Sequence, residues 1–483
     1  MRKLAMLAAA AAIGASTSAL ATDFGPDFDR LDFGEQVEIL ARAQALKLFG
    51  TFGTLRASSS ESITADAANA DPTALVRLAP GLRARVVSSA ATLGANIDMM
   101  ALWPNDFAPT HIIACNEQGP TQAAVQRIDL GTGTPTTVLT GMTSCDPAHR
   151  TPWGTIVVGE EVGGTGHVLE IIDPLHTTGV LFDRVGETLS GADAGNVALR
   201  LSLGRLAFEG IGILPNGVAY YGDENRPQNG SGGGAYFKFI PDNLWAGGPP
   251  ITNLSASPLV SGRVFGMRLG KRANNTDFGQ GNQSGRGVWV EVIEGAPAGV
   301  TRLDLRASAP LLKLTTYYRP EDIAIDLKAL KLGNVRMCGN NTGEDGVSKD
   351  YGETFCLTDA TVTDAASTGA LSTPEYQVLV LGDSDFGMMD NITYQPGRGN
   401  WIVHEDGEGA DATPPRNNDL FSCVDDGMDR DHLADVCAKI GTLNDLNAEW
   451  TGGVFDRTGR RFFVSVQHNV TGHGVVLEIT GWR

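Results

Sequence analysis

Seven short segments of this chain share one pattern, in which a turn leads into a strand of four or five residues with a polar or acidic end. They are PTHIIACNEQ (109–118), WGTIVVGEEV (153–162), NGVAYYGDEN (216–225), RGVWVEVIEG (286–295), GNVRMCGNNT (333–342), RGNWIVHEDG (398–407) and GRRFFVSVQH (459–468). The polar ends are about 44 to 70 residues apart, near or above the length of a four-stranded propeller blade. The pattern predicts an all-β fold, a β-propeller of six or seven blades with insertions and a short N-terminal helix.

The polar strand ends are predicted to meet at one mouth of the central channel, because equivalent strands of successive blades line that channel. Glu160 and Glu161 end one of these strands as adjacent like charges, which repel each other unless a cation lies between them. The alternative is that the acidic residues simply end the strands in solvent, since charge is disfavoured inside a sheet. For the seven segments taken together, the shared mouth is the favoured interpretation.

Residues 1–21 are predicted to be a signal peptide. Arg2 and Lys3 precede an apolar run that ends in the small-residue pattern Ala19-Leu20-Ala21, and the run is too short and alanine-rich for a stable membrane span. We therefore expect a periplasmic or extracellular protein.

The rest of the chain divides into two predicted parts. Residues 22–75 are expected to form an N-terminal extension, with an apolar helical face over 23–50 and a small, polar loop over 57–73. Beyond it, long helical periodicities are almost absent. Residues 76–483 are predicted to form the catalytic propeller domain.

The formal net charge of −19 argues against nucleic acid as a partner, because a protein that binds phosphates needs clustered lysine and arginine. Excess carboxylate suits hard cations, and calcium takes six to eight oxygen ligands in proteins. An acidic surface that only keeps an exported protein soluble is the alternative. Composition alone leaves both interpretations open.

The six cysteines are an even number, far apart and without a CxxC pair, which fits an exported protein with disulfides. The simplest pairing joins sequence neighbours: Cys115 with Cys145, Cys338 with Cys356, and Cys423 with Cys437. Other pairings and free thiols remain open. No zinc-ligand spacing is present.

Five motifs in order resemble the PhoX-type alkaline phosphatase family. They are TPWGTIVVGEE, GRLAFEGIGILPNGVAYYGDEN with the later GGGAYFKFIP, YYRPEDIAID, MDNITYQPGRGNWIVHEDG and TGGVFDRTGRRFFVSVQHNV. The similarity extends from about residue 90 to the end of the chain. The family consists of secreted bacterial propellers that hydrolyse phosphomonoesters at calcium and iron ions held by channel-facing carboxylates.

The resemblance implies a set of site residues. Arg319 of YYRPEDIA resembles the residue that holds the phosphate, which makes it the expected catalytic and substrate-binding residue; the alternative is a structural pair with a carboxylate such as Asp322. The implied metal ligands are Glu117, Glu160, Glu161, Glu209, Glu224, Glu321, Asp390 and Glu405.

Two features depart from the family pattern. Where the family typically has Cys-Glu-Glu, with the thiolate on iron, this chain has Gly159 before its two glutamates. The export signal has Arg2-Lys3 instead of a twin arginine, so a chain exported unfolded would acquire its metals outside the cell. Both departures make Fe³⁺ doubtful and favour several Ca²⁺ ions with all-oxygen ligands.

We therefore expect a secreted, metal-dependent phosphomonoesterase with a small phosphomonoester substrate. The expected protein is a monomer without a nucleic-acid or membrane partner. One alternative is a calcium-stabilised propeller that has lost catalysis and acts as a binding module. Another is a calcium-dependent hydrolase of a different ester, such as a lactone or a phosphotriester.

Overall fold

The structure is a computed structural model that describes residues 33–227, 232–270, 280–344, 350–407, 415–427 and 431–483. The predicted signal peptide and the first part of the predicted N-terminal helix lie outside the described residues. The helices are α1 (Phe33–Ala43), α2 (Ala45–Leu48), α3 (Ala65–Ala70), α4 (Leu305–Leu311), α5 (Leu327–Lys331) and α6 (Val362–Ala365). None of the described helices is long and apolar enough to cross a membrane.

The segment predicted as a loop over 57–73 contains α3. The side chain of Thr64 accepts a hydrogen bond from the backbone N–H of Ala67 and so caps the helix. Ala68 is fully buried in a core cluster with Leu75 and Trp450. The loop prediction is wrong for this stretch, because alanine favours helix and its small side chain fits against the propeller.

The first fifteen strands are β1 (Val76–Leu78), β2 (Arg83–Ser88), β3 (Ile97–Trp103), β4 (His111–Asn116), β5 (Ala123–Asp129), β6 (Pro135–Thr140), β7 (Cys145–Arg150), β8 (Ile156–Glu160), β9 (Val168–Ile171), β10 (Val180–Asp183), β11 (Thr188–Ser190), β12 (Val197–Leu199), β13 (Phe208–Ile213), β14 (Ala219–Asp223) and β15 (Gly234–Pro241). The remainder are β16 (Gly262–Leu269), β17 (Gly285–Glu291), β18 (Thr316–Tyr317), β19 (Pro320–Ile325), β20 (Asn334–Asn341), β21 (Glu353–Thr361), β22 (Glu375–Leu381), β23 (Met389–Tyr394), β24 (Trp401–Glu405), β25 (Asp419–Val424), β26 (Val436–Leu443), β27 (Glu449–Phe455), β28 (Arg461–Gln467) and β29 (Val475–Thr480).

These strands form a six-bladed propeller. Six inner strands, β3, β7, β13, β19, β23 and β27, lie side by side in a ring, and β27 contacts β3 to close it. Each inner strand begins a blade whose first four strands are antiparallel, and the third and fourth blades are joined where β17 pairs with β22 over two residues. The prediction of a β-propeller is confirmed, with six blades.

Both ends of the described chain help to close the ring. The sixth blade takes β27, β28 and β29 from the C-terminal end and β2 from the N-terminal end. Strand β1 adds a fifth strand to the fifth blade by pairing with β26. Closure of this kind covers sheet edges that would otherwise be exposed.

The three predicted disulfides are confirmed. Cys115–Cys145 joins β4 to β7, Cys338–Cys356 joins β20 to β21, and Cys423–Cys437 joins β25 to β26. The first therefore links two successive blades, whereas the others link neighbouring strands inside a blade.

The prediction that the seven polar-ended segments line the channel is wrong in detail. Six of them are the second strands of the blades, and the seventh, residues 286–295, contains the outer strand β17. For each of the six second strands, the inner strand is the preceding strand in the chain. The error has a physical reason, because inner and second strands are both buried and similarly β-prone.

Every inner strand carries a register shift against its second strand. In five blades the shift falls near the start of the inner strand, for example between Ile97 and Met100 of β3 and between Phe208 and Ile211 of β13. In the sixth blade it falls later, between Thr451 and Val454. Such bulges turn side chains away from the regular alternation of a strand.

A buried ion pair holds the joined third and fourth blades together. Lys238 of β15 and Asp359 of β21 are fully buried, and their charged atoms are 2.9 Å apart. Asp359 also accepts hydrogen bonds from Tyr220, Trp289 and Ser372. The charges are therefore matched across the junction, and removing one partner leaves the other buried and unpaired.

We predict that Asp359→Asn lowers the free energy of unfolding by about 3 to 5 kcal/mol, because Lys238 then lacks its counter-charge. The matched control is Glu375→Gln, whose partner Arg286 is 77% exposed and whose loss should cost less than about 1 kcal/mol. Denaturant unfolding of both variants measures the difference. If both variants lost the same small amount of free energy of unfolding, the stabilising role assigned to Lys238 and Asp359 would be contradicted.

Candidate metal centre

A cavity of about 530 Å³ opens at one mouth of the channel. Nine carboxylates line it: Asp98, Glu117, Asp146, Glu161, Glu209, Glu321, Asp390, Asp406 and Glu449. The side chains of Arg226, Arg319 and His468 line the same cavity. A larger cavity of about 1260 Å³ lies further along the inner strands, and much of its wall is apolar, including Met99, Ile211, Ile323 and Ile392.

The inner strands supply six of the nine carboxylates. In five blades the acidic residue is the second residue of the inner strand, and in the sixth blade Glu449 is the first. Asp98, Asp146, Glu209, Glu321 and Asp390 all fall within the register shifts of their strands. The bulges thus accompany the acids that face the channel, as is common next to active sites.

Adjacent acidic residues at the ends of the second strands point in opposite directions. Glu160, the last residue of β8, accepts hydrogen bonds from the backbone of Thr143 and from Arg184 at 2.8 and 2.6 Å. Its other oxygen lies 2.7 Å from Nδ1 of His167. Glu161, the next residue, lines the cavity. Alternation along a strand therefore gives one glutamate to the blade and the other to the channel.

The fifth blade repeats this arrangement. Glu405, the last residue of β24, receives two hydrogen bonds from Arg416, at 2.7 and 3.0 Å. Asp406 follows it and lines the cavity. The structure therefore does not bring the predicted ligands Glu160 and Glu405 into the cavity, because each is bound by an arginine that lies outside it.

The third blade contains a further pair. Asp223, the last residue of β14, is bound by Arg306, with the closest contact at 2.7 Å. Glu224 accepts a hydrogen bond of 2.8 Å from Nε of Arg319. The predicted ligand Glu224 is therefore not among the residues that line the cavity, and its charge is directed at an arginine.

Arg319 lies deep in the site, with 11% of its side chain exposed. Its Nε is 3.4 Å from Glu321, and its Nη2 is 3.7 Å from Asp406. The backbone φ of Arg319 is +57°, an uncommon value for a residue with a side chain. The alternative partner Asp322 instead accepts hydrogen bonds from the backbone N–H groups of residues 323 and 392.

Two groups of three carboxylates have the spacing of a cation site. Asp98, Glu117 and Asp146 form one, and Glu209, Glu321 and Asp390 form the other; the ligand atoms within each group lie within 4.8 Å of one another. Oδ1 of Asp146 is buried without a hydrogen-bond partner among the described residues. An unsatisfied carboxylate oxygen in an all-oxygen donor set fits a hard divalent cation.

Burial and mutual repulsion raise the pKa values of these carboxyl groups. Burial is the main cause for Asp98, Asp146 and Glu209, whose pKa values lie well above the ordinary value, and neighbouring carboxylates add to it. Burial also raises the pKa of Glu321 to about 7, although Arg319 opposes the shift. Without a cation the cluster would hold protons at a pH where ordinary carboxyl groups are ionised.

Four cavity carboxylates were not among the sequence predictions: Asp98, Asp146, Asp406 and Glu449. Three of them are at the starts of inner strands, whereas the sequence predictions rested on the polar ends of strands. A shared pattern was present, because the acid in each of the five shifted strands is the second residue of its strand. Asp406 directly follows the predicted Glu405.

A family profile described as Alkaline phosphatase PhoX matches residues 194–469. The chain is similar to the structure of Pseudomonas fluorescens PhoX in complex with vanadate, a transition state analogue, with a TM-score of 0.58 and 16% identity over 88% of this chain and 98% of that chain. The similarity to the calcium-binding protein regucalcin from Agrobacterium tumefaciens is weaker, with a TM-score of 0.41 and 10% identity over 83% of this chain and 96% of that one. A comparison with curated proteins gave no match.

We predict that the chelated protein loses stability as the pH rises from about 4 to 8. The buried carboxyl groups of the folded state keep protons that the unfolded chain has already released, so unfolding releases protons and becomes easier at higher pH. Saturating calcium should suppress this loss. Thermal unfolding against pH, with and without chelator, measures both effects.

In the same experiment, Asp390→Asn should flatten the pH dependence of the chelated protein, because it removes one group with a raised pKa. The exposed residue Asp242 provides the control, and Asp242→Asn should leave the profile unchanged. A chelated wild-type protein that is equally stable across this pH range would contradict the prediction.

Proposed function

Because the chain belongs to the PhoX alkaline phosphatase family, an assignment that makes it an alkaline phosphatase-like hydrolase, we propose that it is an exported, calcium-dependent phosphomonoesterase. The observation that carries this proposal is the cavity in which nine carboxylates surround a buried arginine. Carboxylates alone would repel a phosphate ester. A site of this composition needs cations before it can receive one.

The residues that would hold the cations are the two groups of three carboxylates, with Glu161 beside them. When bound, divalent cations neutralise the carboxylates, bind phosphate oxygens and lower the pKa of water. Burial and neighbouring carboxylates raise the pKa of Glu161, as expected for a member of the same cluster. The donor atoms are all carboxylate oxygens, which is the ligand type that calcium prefers.

The lack of a free thiolate is the ground for doubting tightly bound iron. All six cysteines are in disulfides, so the chain offers no free thiolate. A Cβ atom at Gly159 would lie 2.7 Å from Cγ of Pro147 and 3.1 Å from Cβ of Phe208. Pro147 therefore occupies the space that a cysteine side chain at this position would need. These observations support the preference for calcium.

Arg319 would bind the phosphate group of the substrate. Its planar guanidinium can donate two hydrogen bonds to two phosphate oxygens, which a lysine cannot match. The carboxylates of Glu224, Glu321 and Asp406 hold it in place before substrate arrives. A positioned positive charge stabilises the negative charge that accumulates on the transferring phosphoryl group.

Export and partners remain part of the proposal. The three disulfides fit an oxidising compartment, and together with the predicted signal peptide they support a periplasmic or extracellular location. A small phosphomonoester is the proposed substrate. The monomeric state and the lack of nucleic-acid or membrane partners stay predictions.

A second candidate function is a calcium-stabilised binding module without catalysis. It is favoured by the replacement of the family's thiolate with Gly159 and by the packing of Pro147 in that space. This candidate predicts that the protein binds calcium and phosphate but releases no phosphate from any monoester.

We predict that the calcium-loaded protein releases phosphate from p-nitrophenyl phosphate at alkaline pH, and that a chelator abolishes the activity. Arg319→Lys should lower kcat/KM by about 100-fold, because the guanidinium contact that stabilises charge on the transferring phosphoryl group is lost. Calcium content, measured on the same samples, should not change.

Arg184 supplies the matched control, since it also binds a buried glutamate but lies outside the cavity. Arg184→Lys should keep kcat/KM within a few-fold of wild type. A wild type that binds calcium but hydrolyses no monoester would favour the binding module. An Arg319→Lys variant with nearly full activity would remove Arg319 from the catalytic assignment.

A further inference from the structure

Arg226 is a second arginine of the cavity, and it was not among the predicted site residues. It lies three residues beyond β14, and its side chain lines the carboxylate cavity with 44% of its surface exposed. Arg319 in the same cavity is only 11% exposed. The two arginines therefore lie at different depths, with Arg226 nearer the solvent.

Glu224 links the two arginines. Its Oε1 accepts a 2.8 Å hydrogen bond from Nε of Arg319 and lies 3.5 Å from Nε of Arg226. Because both nitrogens approach the same oxygen atom, they are separated by no more than the sum of these distances. A single carboxylate thus brings two guanidinium groups together at the wall of the cavity.

The two guanidinium groups differ in the number of carboxylates that they already contact. Arg319 faces three carboxylates, Glu224, Glu321 and Asp406, within 4 Å. The only ion pair of Arg226 within the described part of the chain is the long contact with Glu224. Its terminal nitrogens are therefore the less committed donors for an incoming anion.

Glu224 is also placed differently from the nine cavity carboxylates, since it is not among the residues that line the cavity. Its Oε1 faces the guanidinium nitrogens of both Arg319 and Arg226. A carboxylate already neutralised by arginines has little to gain from binding a metal.

We propose that Arg226 is a second phosphate-binding residue, and that Glu224 positions Arg226 and Arg319 as a pair instead of binding metal. A phosphate group offers several oxygens, so two converging guanidinium groups can bind one group at the same time. The exposed Arg226 would meet the anion first, at the entrance of a cavity rich in carboxylates. The inference rests on the proposed phosphatase function for its substrate, but phosphate binding can be measured without turnover.

The test uses the full-length, calcium-loaded protein with inorganic phosphate as the probe, measured by calorimetry. Arg226→Gln should weaken phosphate binding about tenfold, the effect of losing charged hydrogen bonds at a partly exposed site. The KM for p-nitrophenyl phosphate should rise by a similar factor, with a smaller change in kcat. Arg226→Lys should recover part of the phosphate affinity, because it restores the charge but not the planar fork.

Arg263 is the control for exposure and pairing. It is 47% exposed and lies 3.7 Å from Glu291, close to the values for Arg226. Arg263→Gln should leave phosphate affinity and KM unchanged. Thermal unfolding of each variant confirms that the protein is folded before binding is compared.

Glu224→Gln separates positioning from metal binding. The proposal predicts weaker phosphate binding with unchanged calcium content, whereas loss of calcium would show that Glu224 is a metal ligand and overturn its positioning role. Unchanged phosphate affinity in Arg226→Gln would overturn the role of Arg226. If wild type binds phosphate without turnover and Arg226→Gln weakens that binding, the phosphatase proposal fails while this inference stands.

Discussion

Repulsion among buried carboxylates is the main physical constraint on this structure. Nine acidic side chains converge on one cavity, and burial raises the pKa values of most of them. Such a cluster stays ionised only when positive charge enters it. The two arginines of the cavity supply part of that charge, and the remainder is the physical reason for proposing bound calcium.

The propeller reconciles this charge with a stable fold by separating neighbouring acids. Glu160, Asp223 and Glu405 each end a second strand, and each binds an arginine that lies outside the cavity. The residues after Glu160 and Glu405 line the cavity instead, and the residue after Asp223 binds the cavity arginine Arg319. Two adjacent like charges are therefore tolerated because they never share an environment: one belongs to the scaffold and the other to the site.

The sequence predicted the fold class, the three disulfides and the family, because short β-prone runs, cysteines paired with their sequence neighbours and ordered motifs are local signals. It predicted the site less well. Whether Glu160 or Glu161 faces the channel depends on strand register, which one residue reverses. Asp98 and Asp146 lie in bulges near the start of inner strands instead of at polar strand ends, and only the assembled ring brings them near Glu117.

The metal content of the purified protein tests the central claim most directly. Elemental analysis after equilibration with calcium and removal of free ions should find about two or more calcium ions per chain, at least one for each group of three carboxylates, and almost no iron. A chain that retains no calcium, or that carries about one iron ion, would contradict an all-carboxylate calcium centre.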